Sequence, residues 1–251
     1  MVIGPTDAGK TTFTGGLATA RHAQGLRVGI VDADVGQSEV GPPGTVGLGT
    51  VTAELLAFEF IGLTSPGRQP WRTAEATARL VARARAEFDR VVVDTSGFVA
   101  GGFGAALKRR KIEGAAPDAV VVIQRGDECE HIVREIARPR VVRLPALSGV
   151  APRTQAARRR HRELALARHL EGARPVVLDA ARVAVRSIAG APVALETIAP
   201  ATVVAVHDRD GAALALGVVE AADASAGTLT VRTAHAAHGI ASVTVGEMTA
   251  G

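Results

Sequence analysis

Residues 1–12 read MVIGPTDAGKTT. Gly4, four residues, then Gly9-Lys10-Thr11 is the phosphate-binding pattern G-x-x-x-x-G-K-S/T. Glycines let the backbone wrap tightly, so successive N–H groups turn inward onto phosphate oxygens. That makes Gly4, Thr6, Asp7, Ala8, Gly9, Lys10, Thr11 and Thr12 the candidate nucleotide-binding residues. Lys10 is placed to reach the β- and γ-phosphates. The Thr11 hydroxyl is placed to hold Mg²⁺ and to open a helix whose N-terminal dipole favours anions. The run from Thr11 to Gln24, closed by Gly25, is helix-compatible. Only Met1-Val2-Ile3 precede Gly4, against about five residues for an ordinary buried strand, so a short, frayed first strand is expected.

Working outward, RVGIVD (27–32), AFEFIG (57–62), RVVVD (90–94), AVVVIQ (119–124) and 140–144 read as strands. Residues 70–88 and 128–137 read as helices, and Gly41-Pro42-Pro43-Gly44 breaks regular structure. The alternation predicts an α/β fold, a P-loop parallel sheet flanked by helices. Ligands in such sheets sit outside the carboxyl ends of the strands, where Gly4–Thr11, Asp32–Gln37 and Asp94–Gly97 all fall. Residues 152–171 form a charged helix with a thin apolar stripe of Leu164, Ala165 and Leu170. Beyond it, PVVLDA, TVVAVHD, LALGVVEA, TLTVRT and ASVTVG are short β-like runs, with hairpin signals at Asp210-Gly211 and Ala226-Gly227. The expected organisation is residues 1–173 as a P-loop domain and 174–251 as a small all-β domain.

The 251 residues are 47% hydrophobic but only 3% aromatic, so the core is built from Ala, Val, Leu and Ile. The net charge is +4, from 29 Lys and Arg against 25 Asp and Glu. Arginine dominates the basic set, which suits bidentate phosphate binding and equally a base-composition bias. A single cysteine, Cys129, excludes an internal disulfide. No apolar run reaches the roughly 18 residues of a membrane span, and no signal-like stretch precedes the loop; a cytoplasmic protein without membrane contact is expected.

Two further clusters carry chemistry. Asp32-x-Asp34 ends a strand, where a carboxylate can hold Mg²⁺ through water or accept a proton from an attacking hydroxyl. Asp94 ends another and competes for the metal role. Arg153, Arg158 and Arg162 are spaced five and four apart near the start of the charged helix. They read either as guanidiniums facing the phosphate loop or as part of a solvated basic face with Arg159, Arg160, His161 and Arg168. Trp71, the only Trp, reads as a base-stacking residue or a half-buried anchor.

GPTDAGKTT, VDADVGQSEVGPPGTVGL, FIGLTSP and VVDTSGFVAGGFGAALKRRKIEGAAPDAVVVI together resemble the polynucleotide 5′-hydroxyl kinase family, over about residues 1–171. The later β segment also resembles the family's C-terminal domain. The resemblance implies that Lys10 and Thr11 bind ATP and Mg²⁺, with Asp32 and Asp94 as further metal candidates. It implies that Asp34 activates a nucleic-acid 5′-hydroxyl with Gln37 nearby. The family's clasp, which braces the loop lysine, maps to Thr95, Gly97 and Phe98. Its lid arginines map to Arg153, Arg158 and Arg162. Phe98 stands where the family often has Trp, so an indole N–H is lost. The β-domain that usually precedes the loop does not precede it in this sequence. The activity implied is ATP-dependent phosphorylation of RNA or DNA 5′-OH ends. The competing readings are a nucleotide-regulated binding protein that docks an RNA-processing partner, and a small-molecule kinase on the same scaffold. No N/T-K-x-D guanine-recognition motif is present.

Overall fold

The computed structural model describes all residues except 69, 147, 148, 150, 151 and 251. Its first strand, β1 (Val2–Ile3), is only two residues long but is not frayed. Val2 is 1% and Ile3 0% exposed. The strand pairs in parallel with β6 (Ala119–Gln124), and Thr95 reaches over from its other side to donate to Val2 O at 2.8 Å. Partners on both flanks replace length.

After α1 (Lys10–His22) comes β2 (Val28–Ala33), parallel to β5 (Arg90–Thr95). Alternation along these strands sorts the core into two layers. Ile30 and Val92 pack with Ala18 of α1. Val31 and Val93 face the other way, toward Leu80 and Ala84 of α2 (Pro70–Glu87) and Ile112 of α3 (Gly101–Ala115).

The expected parallel sheet is present, and it carries an antiparallel extension. β1, β6 and β7 (Arg140–Pro145) form a parallel trio. Next to β2, however, β3 (Thr45–Gly49) runs antiparallel, and β4 (Leu55–Phe60) antiparallel to it. β3 has no legible strand pattern because Gly47 and Gly49 interrupt it. Both glycines are needed: a Cβ on Gly47 would stand 2.1 Å from Val40 O, and one on Gly49 2.4 Å from Glu54 O.

α3 is likewise unmarked in the sequence. Its buried face includes Lys108 and Lys111, which erase the apolar 3.6-residue period. α4 is shorter than expected, Glu130–Val133. The charged helix, α5, spans Gln155–His169, with Thr154 Oγ1 accepting from Ala157 N at 3.1 Å as its N-cap. Its inward stripe is Ala165 and Leu166, with Leu170 packing beside them, whereas Leu164 is 52% exposed.

The remaining strands are β8 (Arg174–Asp179), β9 (Ala184–Ser187), β10 (Thr202–His207), β11 (Ala213–Asp223), β12 (Thr228–Thr233) and β13 (Ser242–Thr249). They form one sheet in the order β8-β12-β11-β10-β13-β9, antiparallel except for β13 beside β9. Both expected hairpins are present, joining β10 to β11 and β11 to β12. One face of this sheet closes its own core around Leu178, Leu229 and Val231. The other joins the main core, where Ile188, Val203, Ala205 and Leu216 cluster with Phe58 and Phe60. Among the described residues, no helix is long and apolar enough to cross a membrane.

Candidate active site

The loop between β1 and α1 needs its glycines for two different reasons. A Cβ on Gly4 would lie 2.2 Å from Ile123 O, so Gly4 permits close packing against β6. Gly9 has φ 89°, and Asp7 also turns left-handed at 56°. Lys10 folds back so that Nζ donates to Pro5 O at 2.7 Å. It is 7% exposed, and burial lowers its pKa against the pull of Asp94 and Asp34. The Thr11 hydroxyl donates to Asp94 Oδ2 at 2.6 Å, and Thr95 N donates to Asp94 Oδ1 at 2.8 Å. Burial raises the Asp94 pKa, opposed by the Thr11 bond and by Lys10.

The two carboxylates of Asp32-x-Asp34 are placed differently. Asp32 lies beneath the loop that follows β2, where it accepts from the backbone of Asp34 (3.0 Å), Glu39 (2.7 Å) and Val40 (3.1 Å) and from the Ser38 hydroxyl (3.1 Å). Desolvation, then Asp94, push its pKa up to about 7. Its geometry makes it the organiser of the loop rather than a lining group of the cleft. Asp34 does line the cleft. Its Oδ1 accepts from Gly36 N at 3.0 Å and Gln37 N at 3.1 Å. Gln37 donates to Gly36 O and, at 3.2 Å, to Arg158 O, while its buried Oε1 has no hydrogen-bond partner among the described residues.

The cleft has a volume of about 290 Å³. Into it converge loop residues Thr6 to Thr12, then Asp34, Gln37, Gly97 and Phe98, and all three expected arginines. Gly4, Asp32, Asp94 and Thr95 stand behind this lining. The segment after β5 packs on the loop backbone: a Cβ on Gly97 would stand 2.5 Å from Thr6 N. Thr95 Oγ1 donates to Val2 O. The arginines also part company. Arg158 is tied to Asp7 Oδ2 at 2.7 Å and to Arg153 O at 3.1 Å. Arg153 lies 3.8 Å from Glu39 Oε1. Among the described residues, the Arg162 guanidinium has no partner. Trp71 is 52% exposed in the first turn of α2, outside the lining.

Several cleft residues carried no assignment in the sequence: Thr64, Ser65 and Pro66 after β4, together with Ser96. Only their position within the FIGLTSP and DTSGF segments marked them. Arg125, which donates to Asp7 O at 2.9 Å, had no sequence signal at all. No group of three His, Cys, Asp or Glu side chains among the described residues is arranged to hold a metal. A Thr hydroxyl beside one carboxylate nevertheless fits Mg²⁺, which takes one or two protein oxygens and fills the rest with water and phosphate.

A glycine loop at a strand end, a helix opening on Lys and Thr, and a strand-end Asp facing them define a P-loop protein of the α/β class. The family model described as the P-loop of mRNA cleavage and polyadenylation factor CLP1 matches residues 4–172, and the chain belongs to that family. A polyribonucleotide 5′-hydroxyl-kinase of Pyrococcus horikoshii is 34% identical over 142 residues, covering 53% of this chain and 39% of that protein. One of Thermococcus kodakarensis is 38% identical over 135 residues, covering 51% and 38%. The Rattus norvegicus polyribonucleotide 5′-hydroxyl-kinase Clp1 is 31% identical over 198 residues, covering 69% and 45%. The chain thus spans about two-fifths of the length of the archaeal relatives it matches. In fold it resembles Clp1p as solved in complex with Pcf11p, with TM-score 0.79 and 12% identity, over 99% of this chain and 73% of that one.

Proposed function

We propose that the protein is an ATP-dependent polynucleotide 5′-hydroxyl kinase. One observation carries this reading: Asp34, Lys10 and the unpartnered Arg162 line the same cleft as the phosphate loop. The relatives named polyribonucleotide 5′-hydroxyl-kinases support it. The loop backbone cradles the triphosphate. Thr11 and Asp94 would hold Mg²⁺, which would supply neutralising charge to the phosphates. Asp34, with Oδ1 held by two backbone amides, takes the proton of the incoming 5′-hydroxyl through its other oxygen. The hydroxyl oxygen bonds to the γ-phosphorus as the bond to the β,γ-bridging oxygen breaks, and ADP leaves. Lys10 and Arg162 offset the charge spreading over the transferring group. Gln37 lines the cleft beside Asp34. In this reading residues 1–173 perform the transfer, residues 174–251 brace it, and the protein works in the cytoplasm.

The test is transfer of labelled γ-phosphate from ATP to 5′-OH oligonucleotides, RNA beside DNA, with Lys10→Ala as control. Labelled 5′-ends are expected from the wild type alone. No product on either polymer, from a protein that still binds ATP, overturns the reading. A second reading has its own observation. Lys10 and Arg158 are each held by the loop's own atoms, Pro5 O and Asp7. These contacts suit nucleotide-controlled docking of an RNA-processing partner, in which ATP binds but its phosphate is not transferred.

A further inference from the structure

Lys108 and Lys111 are both 0% exposed, among the largest completely buried side chains described. Buried lysines normally sit against a carboxylate. Neither of these makes an ion pair among the described residues. Both amines instead hydrogen-bond to neutral oxygens at strand ends. Lys108 Nζ donates to Thr95 Oγ1 at 3.0 Å, to Ser96 O, and to Ser96 Oγ at 3.4 Å. Lys111 Nζ donates to Ala33 O at 2.9 Å, the peptide carbonyl between Asp32 and Asp34.

The geometry makes these contacts a single device. Thr95 Oγ1, held by Lys108, itself donates to Val2 O, two residues before Gly4. Gly97 of the same segment packs on Thr6. Lys108 therefore fixes β5 and the clasp against the strand that launches the phosphate loop. One helical turn on, Lys111 fixes the end of β2 that carries Asp34. Both amines pass through one rigid helix, so α3 sets the distance between phosphate loop and proton acceptor. Desolvation lowers both lysine pKa values, that of Lys111 to about 8, with Asp34 opposing. Burial of such groups is costly and is offset here by the hydrogen bonds they make.

We propose that Lys108 and Lys111 are positioning residues of the kinase reaction: they hold the clasp and the Asp34 loop in register with the phosphate loop without touching substrate. The proposal rests on the kinase reading. Its tests use Lys108→Met and Lys111→Met, which keep the apolar stem and remove the amine. Thr95→Val removes only the hydroxyl link and serves should the Met variants fold poorly. Leu107→Ala, a buried change on the same helix, controls for lost stability.

In the lysine variants and in Thr95→Val, kcat is expected to fall roughly 10–100-fold with KM for ATP within about threefold, the loss typical of a sub-ångström misplacement. The Lys108→Met/Thr95→Val double variant is expected to lose no more than the worse single, because both cut one link. Leu107→Ala keeps its kcat. In parallel, amide exchange at residues 34–37 and 96–98 is expected to be about tenfold faster in Lys108→Met and Lys111→Met than in Leu107→Ala under conditions of matched stability. Wild-type kcat in the lysine variants, additive loss in the double variant, an equal loss in Leu107→Ala, or unchanged exchange overturns the proposal. If the wild type transfers no phosphate, the kinase reading fails, and the exchange comparison alone decides whether the lysines hold these loops.

Discussion

The two parts of the chain bury different things. Within residues 1–173, Lys10, Asp32, Asp94, Lys108 and Lys111 are all buried. Within the described part of 174–251, no charged side chain is. The buried polar groups there are Thr202 and Thr233, whose hydroxyls donate to Ala199 O at 2.7 Å and Leu216 O at 2.8 Å. The six-stranded sheet is an apolar closure whose charges stay partly exposed, such as the Arg232–Glu220 pair between β12 and β11. Burying a charge costs several kcal/mol unless it is compensated. The contrast therefore separates a region that carries buried charge from one that is closed by apolar packing.

The comparison breaks most visibly if the cleft tolerates loss of Arg162. Its guanidinium has no partner among the described residues, so Arg162→Ala is expected to lower kcat by about 10³ while leaving Tm within a degree or two of wild type. Steady-state kinetics beside a thermal melt checks this. The mirror experiment is Leu229→Ala in the all-β sheet, where a 0%-exposed side chain leaves a cavity. It is expected to cost about 3 kcal/mol of unfolding free energy in a denaturant titration, with kcat below the melt unchanged.

A smaller effect sharpens the contrast through pH. The Asp32 carboxyl has a folded pKa of about 7 against 3.8 unfolded, raised by burial and then by Asp94. A raised acid holds its proton in the folded state after the unfolded chain has released it. Stability therefore falls as pH rises from about 4 to about 7, by less than about 1.4 kcal/mol per pH unit for this group, and Asp94 is shifted in the same direction. Denaturant midpoints across that window are expected to decline in the wild type and in Leu229→Ala and to decline less in Asp32→Asn. Smallest is the salt response. If Arg153, Arg158 and Arg162 all turn onto the strand's phosphates, single-strand binding is expected to show a log–log salt slope near −2 in an anisotropy titration, and a flat profile removes the arginine helix from the strand.

Much of this was legible in the sequence because it obeys local rules. The loop spacing, the parallel pair β2 and β5, and the hairpins at Asp210-Gly211 and Ala226-Gly227 follow from residue type and period. The illegible parts are those where tertiary contact decides. β3 looks like a break because its glycines serve close approach to Val40 O and Glu54 O. α3 looks polar because two lysines occupy its core face. Asp32 and Asp34 look equivalent, and only the course of the loop back over Asp32 separates them. The first strand looks too short because its neighbours' contributions lie more than 90 residues away. The arginines read as one set, yet Arg158 is tied to Asp7, a partner that no spacing rule names.

The most direct measurement of the central claim, that this cleft moves phosphate through Asp34, is single-turnover transfer from ATP to a 5′-OH oligonucleotide by Asp34→Asn, with ATP affinity measured on the same sample. The asparagine keeps an acceptor for the Gly36 and Gln37 amides, so the loop is preserved. The account predicts a transfer rate lower by about 10²–10⁴ with the Kd for ATP within a few-fold of wild type. Transfer at the wild-type rate would contradict it.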